Sequence, residues 1–127
     1  MFATYSWTKI MIKQSTFLLA LCASPAFADP AKVQHVSVAK RGDSYTFNVT
    51  IRHSDTGWDD YADAWRIKDM DGKVLGERIL AHPHVNEQPF TRSLSGVKIP
   101  DGLKEVVVQA RDSVTGWAEM EKTVKLP

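Results

Sequence analysis

Apolar and polar residues alternate along most of the chain beyond residue 33, and this pattern predicts β-strands. The clearest case is the segment 44–53, where one face carries the apolar side chains Tyr45, Phe47, Val49 and Ile51. Period-two alternation places such a set on the buried face of a strand whose other face meets water. No segment carries a sustained helical period, so we predict an all-β fold.

Seven strands follow from this alternation, separated by residues typical of turns. They cover residues 34–40, 44–53, 61–68, 73–81, 90–99, 105–111 and 118–126. The inward positions of the last strand are predicted to be Ala118, Met120, Val124 and Leu126. Short strands joined by frequent turns predict a single seven-stranded antiparallel β-sandwich rather than a helical bundle.

The region resembles immunoglobulin-like and fibronectin type III-like secreted β-sandwich domains. The resemblance rests on the number of strands, on Trp65 in the third strand and on the long connection between the fourth and fifth strands. It departs from true immunoglobulin domains because the two cysteines that join their sheets are missing. Strand order therefore stays open, as does the sheet to which the fourth strand belongs. The resemblance implies no function, because this fold hosts many.

The first 28 residues have the pattern of an export signal. A basic segment precedes an apolar run at 15–23, which is shorter than the roughly 20 residues of a membrane span. The run leads to Ala26-Phe27-Ala28, an A-x-A cleavage pattern. We predict a signal peptide at 1–28, cleaved after Ala28, and an immunoglobulin-like domain at 29–127. The mature protein would then be periplasmic or secreted, without a membrane span.

Either Met1 or Met11 could begin this signal, because the segment from Met11 onward is already complete. A lipoprotein signal is disfavoured, because Leu21 stands where a small residue should precede Cys22. Cleavage would remove Cys22, the only cysteine, so the mature protein would have neither a disulfide nor thiol chemistry. It would also leave 14 basic against 15 acidic residues, a net charge of −1. This balance does not favour nucleic acid as a partner.

Three connections are expected at one end of the sandwich, because successive antiparallel strands reverse direction. They are the segments 53–61, 82–90 and 111–117, which together are called the rim below. Two of them are alike, since 52–58 and 111–117 both run from Arg through a Ser-x-Thr-Gly segment to Trp. Loops at such an end often bind ligands. The connections at the opposite end are ordinary turns.

Three of the four histidines fall on the rim, namely His53, His82 and His84. Together with Asp55 or Glu87 as a fourth ligand, they predict a site for copper or zinc, because imidazole and carboxylate groups suit both ions. The alternative is that the histidines make loop hydrogen bonds and cap a strand.

Aromatic and charged residues on the rim support a different hypothesis, a module that binds protein or glycan. The partner would be an envelope protein or a small ligand. Its contact residues would be Trp58, Tyr61, Phe90, Arg92, Arg111, Asp112 and Trp117. A structural alternative is that these aromatic side chains only cover the end of the core.

We predict that the protein is not an enzyme. The serines lack a recognisable nucleophile motif, and a domain of this size offers little room for a cleft that holds a carboxylate pair for glycoside hydrolysis.

Overall fold

The computed structural model describes residues 29–127; the predicted signal peptide lies outside the described residues. Eight β-strands and no helix form this region. The strands are β1 Lys32–Arg41, β2 Ser44–Arg52, β3 Ala62–Lys68, β4 Val74–Ile79, β5 Phe90–Val97, β6 Glu105–Asp112, β7 Gly116–Trp117 and β8 Lys122–Lys125. The prediction of an all-β fold is confirmed.

Two antiparallel sheets are present, as a β-sandwich requires. The first contains three strands in the order β1-β2-β5. The second contains five strands in the order β4-β3-β6-β7, and β8 pairs with a different part of β6. The fourth strand pairs with the third, which answers the question that the chain alone left open.

The core lies between the two sheets and consists of the apolar faces of their central strands. Phe47, Val49 and Ile51 of β2 are buried, as their alternation predicts. Trp65 of β3 is the largest fully buried side chain. The second sheet also contributes Ile67, Val106, Val108 and Ala110.

The strands number eight where seven were predicted, because β7 lies in the segment 111–117 that was predicted as a connection, and only β8 forms within the predicted last strand 118–126. β7 pairs with the end of β6, and β8 pairs with its beginning. Between them the chain leaves the sheet, and Met120 is 78% exposed. The prediction of Met120 as a core residue is therefore wrong. Alternation predicts burial only while a strand stays in its sheet.

The three rim connections lie at one end of the molecule, as predicted. The strand registers join the residues that flank these connections: Ile51 with Phe90, Ala64 with Ile79, and Ala62 with Asp112. A backbone hydrogen bond from Ser113 N to Tyr61 O (2.9 Å) links two of the connections directly.

Candidate metal centre

Asp55 is buried at the centre of the rim and joins three segments of the chain. Its Oδ1 accepts hydrogen bonds from His53 Nδ1 (2.6 Å) and from the backbone N–H of Ala62 (3.0 Å). Its Oδ2 accepts one from the backbone N–H of His84 (2.7 Å). The carboxylate therefore connects the end of β2, the start of β3 and the loop between β4 and β5.

His53 continues the alternation of β2 and points inward, so its imidazole is buried. Because a carboxylate only accepts hydrogen bonds, Asp55 holds a proton on Nδ1, so Nε2 is the ring nitrogen that carries the lone pair when the imidazole is neutral. His53 Nε2 is buried without a hydrogen-bond partner. The nearest carboxylate oxygen is Oδ1 of Asp60 at 3.6 Å, which is too far for a hydrogen bond. That oxygen is also buried without a partner.

Asp112, at the end of β6, completes the group. One donor atom each from His53, Asp60 and Asp112 lie within 4.8 Å of one another. Asp112 Oδ1 accepts from the backbone N–H groups of Val114 (2.9 Å) and Thr115 (2.7 Å), and the Thr115 hydroxyl donates to Oδ2. Burial alone would raise the pKa of Asp112, but the hydrogen bonds from Thr115 and Val114 and the neighbouring His53 outweigh it and lower the pKa. Asp112 is therefore ionised at neutral pH.

These three residues, called the His53 group below, lie close enough together to share an ion and have side chains that ligate metals. Two ligands about 2.1 Å from one tetrahedral zinc ion are about 3.4 Å apart, close to the separation of His53 Nε2 and Asp60 Oδ1. A ligating histidine commonly donates its other ring N–H to a carboxylate, which is the role of Asp55 here. Buried polar atoms without partners are rare, and two of them face each other at this point.

The structure brings together only part of the predicted metal set. In residues 29–127, the His53 group is the one set of three or more His, Cys, Asp or Glu residues spaced to share an ion. Asp55 contacts Nδ1 of His53 rather than the side of Nε2 where Asp60 lies, and Glu87 is 3.7 Å from the Arg92 guanidinium. The predicted arrangement of three histidines around one centre is therefore not formed.

His82 and His84 have other partners. Nε2 of His84 accepts a hydrogen bond from Arg92 (2.8 Å), and its ring stacks on Phe90 with centroids 3.8 Å apart. Nδ1 of His82 lies 3.0 Å from the carbonyl oxygen of Pro83. Burial lowers the pKa of His84, and the Arg92 and His82 charges lower it further. His84 is therefore a neutral, packed side chain at neutral pH, as the alternative to metal binding predicts.

The sequence did not single out Asp60, and it assigned Asp112 to a different kind of site. Asp60 stands in a tight turn, where its backbone N–H donates to Gly57 O (3.2 Å). Asp112 was predicted among the ligand-contacting residues but is buried at the end of β6. Both residues belong to the rim. Their place on the rim is the only feature of the sequence that could have indicated them as metal ligands.

The aromatic and arginine set is also divided by the structure. Trp58 is 67% exposed and contacts Tyr61 edge to face, with ring centroids 5.6 Å apart. Phe90 and Asp112 were predicted to contact a partner. Both are buried, so neither offers a surface to a partner, and this part of the prediction is wrong. The Arg66 guanidinium lies 3.8 Å from the centre of the Trp117 ring and covers it.

Comparison with known proteins gives two similarities, and no family model matches the chain. A protein of Halomicrobium mukohataei described as "Putative lipoprotein" is 41% identical over 76 residues. The match covers 60% of this chain but only 37% of that protein, so the chain corresponds to less than half of its relative.

The crystal structure of a hypothetical protein from Pyrococcus horikoshii OT3 has a similar fold. Its TM-score is 0.52 at 12% identity, and the match covers 76% of this chain and 89% of that chain. At this identity the similarity supports the fold alone. Within the described residues, no helix is long and apolar enough to cross a membrane.

Proposed function

We propose that this protein is an exported, non-enzymatic, immunoglobulin-like β-sandwich protein that binds a copper or zinc ion through His53, Asp60 and Asp112. The observation that carries the proposal is the buried His53 Nε2, which has no hydrogen-bond partner and faces the Asp60 carboxylate at 3.6 Å. Asp55 fixes the tautomer that ligation requires.

One imidazole nitrogen and two carboxylate oxygens suit Zn²⁺ or Cu²⁺. Cu⁺ prefers sulfur ligands, and the His53 group contains none. Copper(II) is expected to bind more tightly than zinc, following the general order of affinities for divalent ions.

Two observations support export. The first 28 residues have the composition and cleavage pattern of a signal peptide. The description of the Halomicrobium mukohataei relative as a lipoprotein is in keeping with an envelope address, either periplasmic or secreted.

Calorimetric titration with Zn²⁺ and Cu²⁺ tests the metal site. We expect one ion per chain, and we expect Asp60→Asn and His53→Gln to weaken binding by at least about 100-fold, because each removes one of three ligands. Asp60 is partly exposed, so Asp60→Asn should fold normally and separates loss of the site from loss of the fold.

His35→Gln is the matched control, since His35 is exposed on β1 and outside the group. Wild-type affinity in both the His53 and Asp60 variants would contradict the proposed site. Loss of binding in His82→Gln, with wild-type binding in Asp60→Asn, would move the site to the predicted histidines.

A second candidate function, the binding of an envelope protein or glycan, is favoured by exposed apolar side chains on the rim. Each of the three connections presents one of them: Trp58, Val85 and Val114. Single exposed apolar side chains are common on the surfaces of monomeric proteins. Several of them at one end of a domain are typical of an interaction surface.

Trp58→Ala is expected to change the free energy of unfolding by less than about 0.5 kcal/mol, because Trp58 is mostly exposed. Trp117→Ala should lower it by about 1–3 kcal/mol, because the Arg66 stack and half-buried ring surface are lost. Urea denaturation measures both.

If Trp58 binds a partner, its replacement also abolishes the tryptophan fluorescence change caused by a cell-envelope extract containing chelator. An equal loss of stability in both variants would favour a purely structural role for Trp58.

A further inference from the structure

We propose that a surface cavity between β1 and the segment 118–120 binds an aliphatic monocarboxylate, a molecule with one negative charge and a hydrocarbon chain. This inference goes beyond the proposed metal site and does not depend on it. It follows from a pair of cations without a counterion, from a β-bulge beside them and from the apolar lining of the cavity.

Two positive charges face each other at the polar end of this cavity. Lys32 of β1 lies directly opposite Arg52 of β2 in the antiparallel ladder, and both residues are exposed and line the cavity. Like charges directly opposite each other on one face of a sheet are destabilising. In residues 29–127, no carboxylate oxygen lies within 4.0 Å of the side-chain nitrogens of Lys32 or Arg52. A bound anion would relieve this repulsion.

A β-bulge lies next to the two cations. The register of β1 against β2 shifts between Val33 and His35, so Gln34 is the extra residue. Gln34 is exposed and also lines the cavity. Bulges redirect side chains and are frequent beside functional sites. The Gln34 amide adds a hydrogen-bond donor to the Lys32 and Arg52 donors, and a carboxylate is a pure acceptor.

The net charge of the lining fits a single carboxylate. Among the described residues that line the cavity, Asp29 is the one acidic residue. Its Oδ2 accepts a hydrogen bond from the backbone N–H of Ser54 (3.3 Å). Lys32, Arg52 and Asp29 together leave one positive charge, which one carboxylate neutralises, whereas a cationic ligand would meet repulsion.

Apolar residues form most of the remaining lining, and they favour a hydrocarbon chain. The cavity has a volume of about 460 Å³, within the range of small-molecule sites, and its apolar residues are Pro30, Ala31, Ala118 and Met120. A second cavity of about 430 Å³ shares Pro30, Ala118 and Met120 with the first and extends to Trp117. Met120 is 78% exposed, so a chain that covers it removes apolar surface from water.

Calorimetric titration of the metal-free protein with decanoate tests the proposal, with two matched ligands beside it. Decyltrimethylammonium has the same chain and the opposite charge, and acetate has the carboxylate without the chain. We expect one decanoate per chain, and we expect decyltrimethylammonium to bind at least about tenfold more weakly. Acetate should bind at least about 100-fold more weakly than decanoate, because most of the apolar contact is missing.

The double variant Lys32→Gln/Arg52→Gln should bind decanoate at least about tenfold more weakly, because both charged donors are lost. Both side chains are exposed, so the variant should fold normally. Lys40→Gln/Arg41→Gln is the matched control, since it removes the same charge from exposed residues at the other end of β1 and should bind as the wild type does.

The apolar part of the cavity has its own test. Met120→Ser should weaken decanoate binding by about 3–10-fold, because less apolar surface is covered by the chain. Met70→Ser, at an exposed turn outside the cavity, should leave the affinity unchanged.

Four results would each overturn the inference: no binding of decanoate, equal affinity for decanoate and decyltrimethylammonium, equal affinity for acetate and decanoate, or wild-type affinity in the Lys32/Arg52 double variant. None of them bears on the His53 group, because the titrations use the metal-free protein. Failure to bind copper or zinc would instead overturn the proposed function and leave this inference intact.

Discussion

Replacing Asp55 with alanine is expected to lower the free energy of unfolding by about 3–5 kcal/mol. The carboxylate is buried and accepts hydrogen bonds from the His53 ring and from the backbone N–H groups of Ala62 and His84. Alanine would leave these three donors buried without an acceptor, and each unpaired donor costs about 1–3 kcal/mol. The loss also frees the segments before β3 and before β5 from each other.

Urea denaturation of the metal-free protein measures this effect. Asp59→Ala is the matched control, because Asp59 is exposed in the same connection, and it should change stability by less than about 0.5 kcal/mol. Asp55→Asn should lose less than Asp55→Ala, because the amide oxygen still accepts hydrogen bonds. A loss below about 1 kcal/mol in Asp55→Ala would show that the hydrogen bonds do not hold the rim together.

Asp55 also connects the stability of the rim to metal binding. If the His53 group binds an ion, Asp55→Asn should weaken that binding by about 10–100-fold, the usual cost of losing the carboxylate behind a ligating histidine. Asp59→Ala should leave the affinity unchanged.

Trp65→Ala is the second substitution with a large expected effect, a loss of about 3–5 kcal/mol. Trp65 lies in β3 between β4 and β6 and is fully buried between the two sheets. Alanine would remove the largest side chain of the core and leave a cavity that the paired strands cannot close.

Trp65→Phe is the informative comparison. The Trp65 Nε1–H is buried without a hydrogen-bond partner, so phenylalanine removes an unsatisfied donor as well as volume. The loss should therefore be about 1–2 kcal/mol, well below that of alanine. Met70→Ala, at an exposed turn, is the control and should have little effect. Equal losses for phenylalanine and alanine would show that the indole N–H has found a partner in solution.

The fold could be predicted well wherever one strand face meets the core and the other meets water. β2 shows this most clearly, because Phe47, Val49 and Ile51 alternate with polar residues and are all buried. The position of the rim was also predictable, since it depends only on strand direction. Met120 was not, because the chain leaves the sheet after Trp117 and alternation then loses its meaning.

The candidate site was predictable only in part, because alternation predicts the direction of a side chain only within a strand. His53 was predicted on the rim, and the structure shows that it continues the inward face of β2 and is buried. His82 and His84 lie in a connection without strand geometry, where sequence spacing does not determine the direction of a side chain. Their rings contact each other, but His84 turns to Phe90 and Arg92 rather than to His53.

The sequence by itself determined the β-strand pattern, the residues of the central core, the shared end of the three connections and the place of His53 at that end. These properties depend on period-two alternation and strand direction, which are local. Only the tertiary structure decided that Asp55 supports His53 while Asp60 and Asp112 face it. Several acidic residues lie on the rim, and loop conformation and long-range strand register select among them.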